Sequence, residues 1–163
     1  MIIEKARYED LAEILTLQKL AYRSEAELCN DFTILPLMQT LEETREEYCL
    51  QLILKAGENG AIIGSVRAYE EEGVCYIGKL IVHPNRQNQG IGKEILKAIE
   101  ACFRECRKYA LFTGKDSLRN LYFYQKAGYR IGAEKALNDR VTLVFLEKDN
   151  RDIKGNGESM SCR

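Results

Sequence analysis

Between His83-Pro84 and a helical pattern beginning near Ile91, the chain carries four side-chain amides, Asn85, Gln87, Asn88 and Gln89, and then Gly90 and Gly92 around Ile91. Glycine lets a backbone approach a ligand closely and take up otherwise crowded dihedrals. A helix N-terminus offers unpaired N–H groups and a partial positive charge. Strand, glycine loop and helix in succession therefore make a cradle for an anion, most often a phosphate. The amides can hold the loop's own backbone or the ligand. Two familiar phosphate motifs do not fit. A P-loop needs GxxxxGK[ST], but Gly92-Lys93 is followed by Glu94 and the earlier glycine is missing. A dinucleotide fingerprint needs a third glycine where Ile95 stands, and it belongs after a first parallel strand. An ordinary helix start with flexible glycines is the plain alternative.

Other residues could also do chemistry. Tyr124 lies among Tyr122, Phe123 and Tyr129, where it can offer a phenolic proton or simply pack. His83, the only histidine, is by residue type the natural candidate for a base at neutral pH, but a loop histidine beside proline is more often structural. Glu70, Glu71 and Glu72 form a run of the kind that usually marks a solvated turn, and Tyr76 could relay a proton through water. Cys75 could act as a nucleophile. The six cysteines (29, 49, 75, 102, 106 and 162) contain no CxxC pair. With a single histidine they supply no metal set, and reduced, mostly buried thiols are expected.

These residues need elements to hold them. "MIIEKA" reads as a first strand. "YEDLAEILTLQKLAY" repeats apolar residues at near-helical spacing, with Glu9 and Asp10 in its first turn. A loop bearing Pro36 follows, then a second helix in "TLEETREEYC". "LQLILKA", "AIIGSVRAY" and "VCYIGKLIV" read as three strands joined through "GENG" and "EEEG". A helix is predicted over residues 90–107, with Ile91, Ile95, Leu96, Ile99, Cys102, Phe103 and Cys106 on one stripe. "YALFTG" is a strand, "SLRNLYFYQKAGY" a helix closed by Gly128, and "RVTLVFLEK" the last strand. The predicted order is β-α-α-β-β-β-α-β-α-β, a mixed sheet with helices on its faces. Residues 149–163 form a polar tail expected to fray.

The 163 residues suit one domain, and 45% hydrophobic content is enough for a core. Charged residues make up 30% with a net charge of -1, so the basic excess usual in a nucleic-acid binder is absent. No apolar run reaches membrane-spanning length. The N-terminus is charged within four residues and lacks a signal-peptide core, which leads us to expect a cytoplasmic protein. Charge is unevenly placed. Residues 1–60 hold twelve acids and six bases, net -6, and the remainder holds thirteen acids and eighteen bases, net +5.

The segment Gln87-Asn88-Gln89-Gly90-Ile91-Gly92 resembles the Q/R-x-x-G-x-G/A signature of the GNAT superfamily of acyl-CoA N-acetyltransferases. Leu80-Ile81-Val82-His83-Pro84 resembles that family's L-x-V-x-P strand end, and Asn120 to Tyr129 resembles its second motif. The likeness covers about residues 2–148. Two departures stand out. Many members have glycine right after the Q/R, where this chain has Asn88, a residue that tolerates left-handed dihedrals. An asparagine often falls seven residues before the motif tyrosine, where this chain has Ser117; Asn120 lies four before it.

The resemblance implies an α/β (α+β) fold: a single domain over 1–148 with a mixed central sheet, a splayed cofactor-binding strand and helices on both faces. It implies acetyl-CoA as donor, no metal, and an amine acceptor attacking directly. Backbone N–H groups from Asn88 to Lys93, with Gln87, would take the pyrophosphate. Leu80, Ile81 and Val82 would pair with the pantetheine amides, and an N–H near Leu80 could polarise the acetyl carbonyl. Asn120 is carried over as a cofactor contact and Tyr124 as general acid to the departing thiolate. The acidic first third, on the side that usually shapes the acceptor site, favours a cationic primary amine on a small molecule or peptide. The rival readings are a non-catalytic acyl-CoA-binding regulatory module and a dinucleotide oxidoreductase, the latter disfavoured by Ile95. The residues leave the general base open and are compatible with a homodimer.

Overall fold

A computed structural model describes residues 1–151. Seven strands form one mixed sheet in the order β1-β2-β3-β4-β5-β7-β6. β1 (Ile2–Lys5), β2 (Leu52–Glu58), β3 (Ala61–Glu71) and β4 (Val74–Val82) are an antiparallel run. β5 (Lys108–Gly114) joins β4 in parallel and pairs antiparallel with β7 (Thr142–Asp149), which carries β6 (Arg130–Ala136) on the outer edge. Both hairpins of the antiparallel run close on left-handed pairs, Asn59-Gly60 and Glu72-Gly73. Such pairs match the right-handed twist of the flanking strands.

Helices cover both faces. α1 (Leu11–Ala21) lays Leu11, Ile14 and Leu17 against Ile53, Ile62 and Ile81. On the other face α5 (Ile91–Cys102) buries Ile91, Ile95, Leu96 and Ile99 in the main core with Val66, Ala68, Ile77, Leu111 and Leu146. Gly64 on β3 makes that docking close, because a Cβ there would stand 2.5 Å from Ile95 Cδ1 and 3.0 Å from the Ile81 carbonyl. α6 (Leu118–Lys126) adds Tyr124 to the same core.

The structure corrects the sequence reading at several places. Between α1 and α4 (Leu41–Leu50) lie two further helices, α2 (Arg23–Cys29) and the short α3 (Leu35–Met38), where only a loop is expected. α2 buries one residue, Ala26, and stops at Asn30 in a left-handed conformation, so it shows little apolar periodicity. α3 carries Pro36 within its first turn, where the missing N–H breaks no helical bond. β6 is unexpected because every residue in it is exposed; backbone pairing to β7, not an apolar face, makes it a strand. α5 ends at Cys102 instead of Arg107, so Cys106 does not share its stripe. The thiols are less buried than expected: Cys75 and Cys106 are buried, Cys29 and Cys102 half-buried and Cys49 exposed. β7 runs through Asp149, and Asn150 hydrogen-bonds the Arg104 and Cys106 carbonyls, so order continues past residue 148. Cys162 and the rest of the expected tail, 152–163, lie outside the described residues.

Candidate active site

The sheet divides where β4 meets β5. The two strands pair over only three positions, Val74–Tyr76 with Lys108–Ala110, and then diverge. The cause lies one strand away. Ser65 faces Ile81 and Arg67 faces Gly78, so β4 carries an extra residue against β3. Lys79, in this bulge, has φ 49, uncommon for a residue with a side chain. A bulge bends its strand and raises the local twist, and here β4 peels away from β5. Leu80, Ile81 and Val82 line one wall of the resulting groove and Leu111, Phe112, Thr113 and Gly114 the other. The β4 edge beyond Tyr76 has no strand partner there, which leaves backbone groups for an extended ligand.

The glycine loop closes the groove near α5. Residues Pro84–Arg86 form a 3-10 turn in which His83 Nδ1 accepts from the Asn85 N–H at 3.1 Å. Asn88 has φ 63 and Gly90 φ 80, so the asparagine adopts the left-handed conformation expected of it. The amides mainly brace the loop. Arg119, in the first turn of α6, donates to Gln87 Oε1 and to Asn88 Oδ1 (3.2 Å). Arg86 Nε donates to Gln89 Oε1 at 3.1 Å and its guanidinium pairs with Glu58. Gln89 does not line the groove, whereas Gln87, Asn88, Gly90, Ile91, Gly92 and Lys93 do. The Ile91 side chain is in the core, so only its backbone faces the loop. Gly90 caps α5 without a side-chain acceptor, so the first-turn N–H groups remain uncapped. Uncapped donors, the Arg86, Lys93 and Arg119 charges and the small Gly92 fit a diphosphate.

Further along the groove stand Tyr124, Asn120 and a carboxylate from the unexpected helix. Tyr124 is buried, with its ring edge-on to Phe123 and Tyr129 at centroid distances of 5.1 and 5.8 Å. It thus packs in the core and also lines the groove. Among the described residues its hydroxyl makes no hydrogen bond. Burial, and then the nearby Tyr22 and Glu25, push its phenol well above the ordinary tyrosine value, so it holds its proton. Asn120 Nδ2 donates to Glu25 Oε1 at 3.0 Å and to Thr113 Oγ1 at 3.3 Å. Ser117 Oγ donates to the same Glu25 oxygen at 2.8 Å. Burial raises the Glu25 carboxyl above the usual range, against the lowering effect of those two donors.

A second polar cluster lies beneath the α1–α4 side. Arg67, on β3, is fully buried. Its Nη2 donates to Gln18 Oε1 at 2.8 Å and its Nη1 to Gln39 Oε1 at 3.2 Å and to Glu47 Oε2. Lys79 Nζ and Gln39 Nε2 both donate to Glu47 Oε1, at 2.6 and 2.8 Å. Burial would raise the Glu47 carboxyl, but the hydrogen bond from Lys79 and the Arg67 and Lys79 charges hold it below the usual range.

Several sequence candidates leave the centre. His83 serves its own turn, and Glu70, Glu71 and Glu72 are exposed at a hairpin end. Cys75 is fully buried, and burial pushes its thiol far above the range of a reactive thiolate. Tyr76 stacks on Tyr69 at 5.3 Å and remains on the groove wall. Among the described residues no group of three or more His, Cys, Asp or Glu could hold a metal ion. No helix of the described residues is long and apolar enough to cross a membrane. Sequence reasoning missed Glu25 and the Arg67 network. An arginine within the apolar run "AIIGSVRAY" was the available signal for the network, since a buried charge demands partners. Nothing local marks Glu25, whose partners lie 92 and 95 residues away.

The protein is similar to known acetyltransferases. Its fold matches a PaiA N-acetyltransferase from Thermoplasma acidophilum solved in complex with coenzyme A, with a TM-score of 0.75 and 16% identity over 91% of this chain and 99% of that one. It also matches the ribosomal-protein-S18-alanine N-acetyltransferase of Escherichia coli, with a TM-score of 0.77 and 12% identity over 97% and 99% of the two chains. At those identities the likeness is one of fold. An uncharacterized Bacillus subtilis protein, YxbD, is 37% identical over 76 residues, 45% of this chain and 46% of that protein, so the chain spans less than half of this curated relative. Residues 11–129 match the Acetyltransferase (GNAT) family, and the chain belongs to that family.

Proposed function

We propose that the protein transfers an acetyl group from acetyl-CoA to a primary amine. The observation that carries this reading is the meeting, in one groove, of an uncapped α5 N-terminus and the unpaired edge of β4. The first would take the diphosphate at the N–H groups of residues 88–93. The second would pair along Leu80, Ile81 and Val82 with the pantetheine arm, as an added strand does. Asn120 would contribute a side-chain contact to that arm. Beside the bulge at Lys79, an N–H near Leu80 could polarise the thioester carbonyl. The coenzyme A complex of the PaiA protein supports this choice of ligand. Tyr124, protonated and with no hydrogen bond to its hydroxyl among the described residues, is suited to give its proton to the departing thiolate.

The acceptor is a cationic amine. Glu25, Glu27, Asp31, Glu43 and Glu47 line the groove on the α2–α4 side, while Arg67 and Lys79 there are engaged with Glu47. Carboxylates at the mouth would concentrate cations, and that attraction should fade with salt.

The reading is tested by melting the protein with and without acetyl-CoA and by following thiol release with polyamines, amino acids, aminoglycosides and peptides. Acetyl-CoA should raise the melting temperature, and Gly90→Val and Gly92→Val should weaken its binding. The first forces a β-branched residue to φ 80, and the second starts a side chain 3.5 Å from Phe123 and 3.6 Å from Val82, which line the groove beside the loop. Turnover should favour cationic amines and fall with salt. Unchanged coenzyme A affinity in both variants would overturn the assignment of the loop. Binding without turnover would favour a regulatory module.

A further inference from the structure

The transferase reading leaves open which group takes the proton from the amine, and Glu25 stands out. Both hydrogen bonds to its carboxylate go to Oε1, from Ser117 and Asn120. Among the described residues Oε2 accepts none. It lies 3.6 Å from where a side chain on Gly114 would begin, at the end of β5 where the two strands have parted. The missing Cβ at Gly114 keeps that space open. Glu25 lines the groove and is paired with no cation among the described residues. Ser117 adds a second observation. It is the N-cap of α6 and fully buried, yet its hydroxyl does not cap the helix. A serine in that position normally accepts from a first-turn N–H, which stabilises the helix. Here the hydroxyl instead orients a carboxylate from another helix.

From this geometry we infer that Glu25 is the acceptor-binding base of the reaction, with Oε2 holding the acceptor ammonium and removing its proton. The inference rests on the transferase reading and deepens it. The ammonium N–H bond breaks and its proton joins Oε2, while nitrogen keeps the electron pair. That pair forms the C–N bond to the thioester carbonyl carbon. The C–S bond breaks with both electrons on sulfur, and the Tyr124 hydroxyl supplies the thiol proton. The second proton left on nitrogen after attack restores the Tyr124 phenol, and Glu25 returns its own proton to solvent. Ser117 is a positioning residue, since it acts through Glu25, and Asn120 holds the same carboxylate oxygen beside its proposed contact to the pantetheine arm. The groups facing Glu25 are Tyr22 at the start of α2 and, from α6, Tyr124, Ser117 and Asn120, with Thr113 of β5 behind Asn120. Lys115, in the turn after β5, is engaged with Glu134. Among the described residues no cation therefore offsets the burial that raises the Glu25 carboxyl, a shift toward the range where a base works best.

The experiment measures kcat/KM against pH at saturating acetyl-CoA, using whichever amine of the panel turns over. Wild type, Glu25→Gln and Ser117→Ala are compared, with coenzyme A affinity and melting temperature in parallel. Glu25→Gln should lower kcat/KM by about 10²-fold or more and abolish the acidic limb of the profile. Its oxygen can still accept from Ser117 and Asn120, so coenzyme A affinity and melting temperature should hold. Ser117→Ala removes a donor that lowers the carboxyl, so it should move the acidic limb to higher pH, a change that mere loosening of the helix would not produce. Turnover that survives Glu25→Gln with its acidic limb intact would overturn this assignment alone. Parallel loss of coenzyme A binding would also overturn it, by making Glu25 a wall of the cofactor slot. A wild-type protein that releases no thiol with any amine overturns the transferase reading and this inference with it. Should Glu25→Gln fail to fold, an acidic limb unmoved in Ser117→Ala still overturns the role of Glu25.

Discussion

Glu25 on α2 and Glu47 on α4 line the same groove, and their surroundings pull them in opposite directions. Glu47 has both oxygens engaged, by Lys79, Gln39 and Arg67, and its carboxyl lies below the usual range. Glu25 has one oxygen held by neutral donors and, among the described residues, one unengaged and no cation against it, and its carboxyl lies above that range. Burial opposes ionisation in both. What differs is whether the fold supplies compensating positive charge. Glu47 belongs to a closed network that fixes α1, α4, β3 and β4 to one another. Glu25 keeps Oε2 without a hydrogen bond among the described residues.

The largest effect should come from breaking the closed cluster. Arg67→Met would leave Gln18 Oε1 without its donor and Glu47 with one cation fewer, both in a buried setting. We expect a loss of about 3–5 kcal/mol, the usual cost of removing one partner from a buried charge cluster, read from denaturant unfolding. A loss under about 1 kcal/mol would mean that the network does not depend on its arginine and that the two carboxylates differ less than their contacts imply.

A smaller effect should follow on the open side. Tyr124→Phe keeps the ring against Phe123 and Tyr129 and removes a hydroxyl that makes no hydrogen bond among the described residues. Turnover should fall about ten-fold or more, while coenzyme A affinity and melting temperature change little. Wild-type turnover in this variant would return Tyr124 to packing alone.

The finest comparison is in pH. A glutamate whose folded pKa is depressed, as for Glu47, stabilises the fold above its unfolded pKa, and that contribution is lost as pH falls through the lower folded value. A glutamate whose folded pKa is raised behaves oppositely. Glu25 ionised in the fold costs stability at neutral pH, and the cost disappears as pH falls from the raised folded value to the ordinary glutamate range. Glu47→Gln should therefore destabilise at pH 7, with the deficit shrinking in acid. Glu25→Gln should match or exceed wild-type stability at pH 7, with any gain shrinking in acid. Melting curves of both variants from neutral to acid pH test this, and slopes of the same sign would show that the two carboxylates share one kind of site.

Much of the β4–loop–α5 side could be read from the chain because its causes are local. Asn88 and Gly90 take left-handed dihedrals that asparagine and glycine adopt at little cost, and Ile91, Ile95, Leu96 and Ile99 fall on one helical stripe because their spacing matches the helical repeat. The strand–loop–helix order follows from the same residues. β6 could not be read so, since exposed Arg130–Ala136 becomes a strand only by pairing with β7. Likewise α2, with Ala26 alone buried, lacks a pattern that would announce it.

The sequence by itself determined the family, the glycine loop at the start of α5 and the order of most elements, because dihedral preference, capping and periodicity act within a few residues. Tertiary structure alone decided what each polar side chain does. The loop amides became braces because Arg119 and Arg86 reached them, and Arg67 found Gln18 on α1, Glu47 on α4 and Gln39 just past α3. Glu25 met Ser117 and Asn120 only when α2 packed beside the start of α6. A carboxylate's proton affinity depends on burial and on charges within a few ångströms. Neighbours at that range come from anywhere in the chain, so the fold, and not the local sequence, decides which glutamate is closed and which is open.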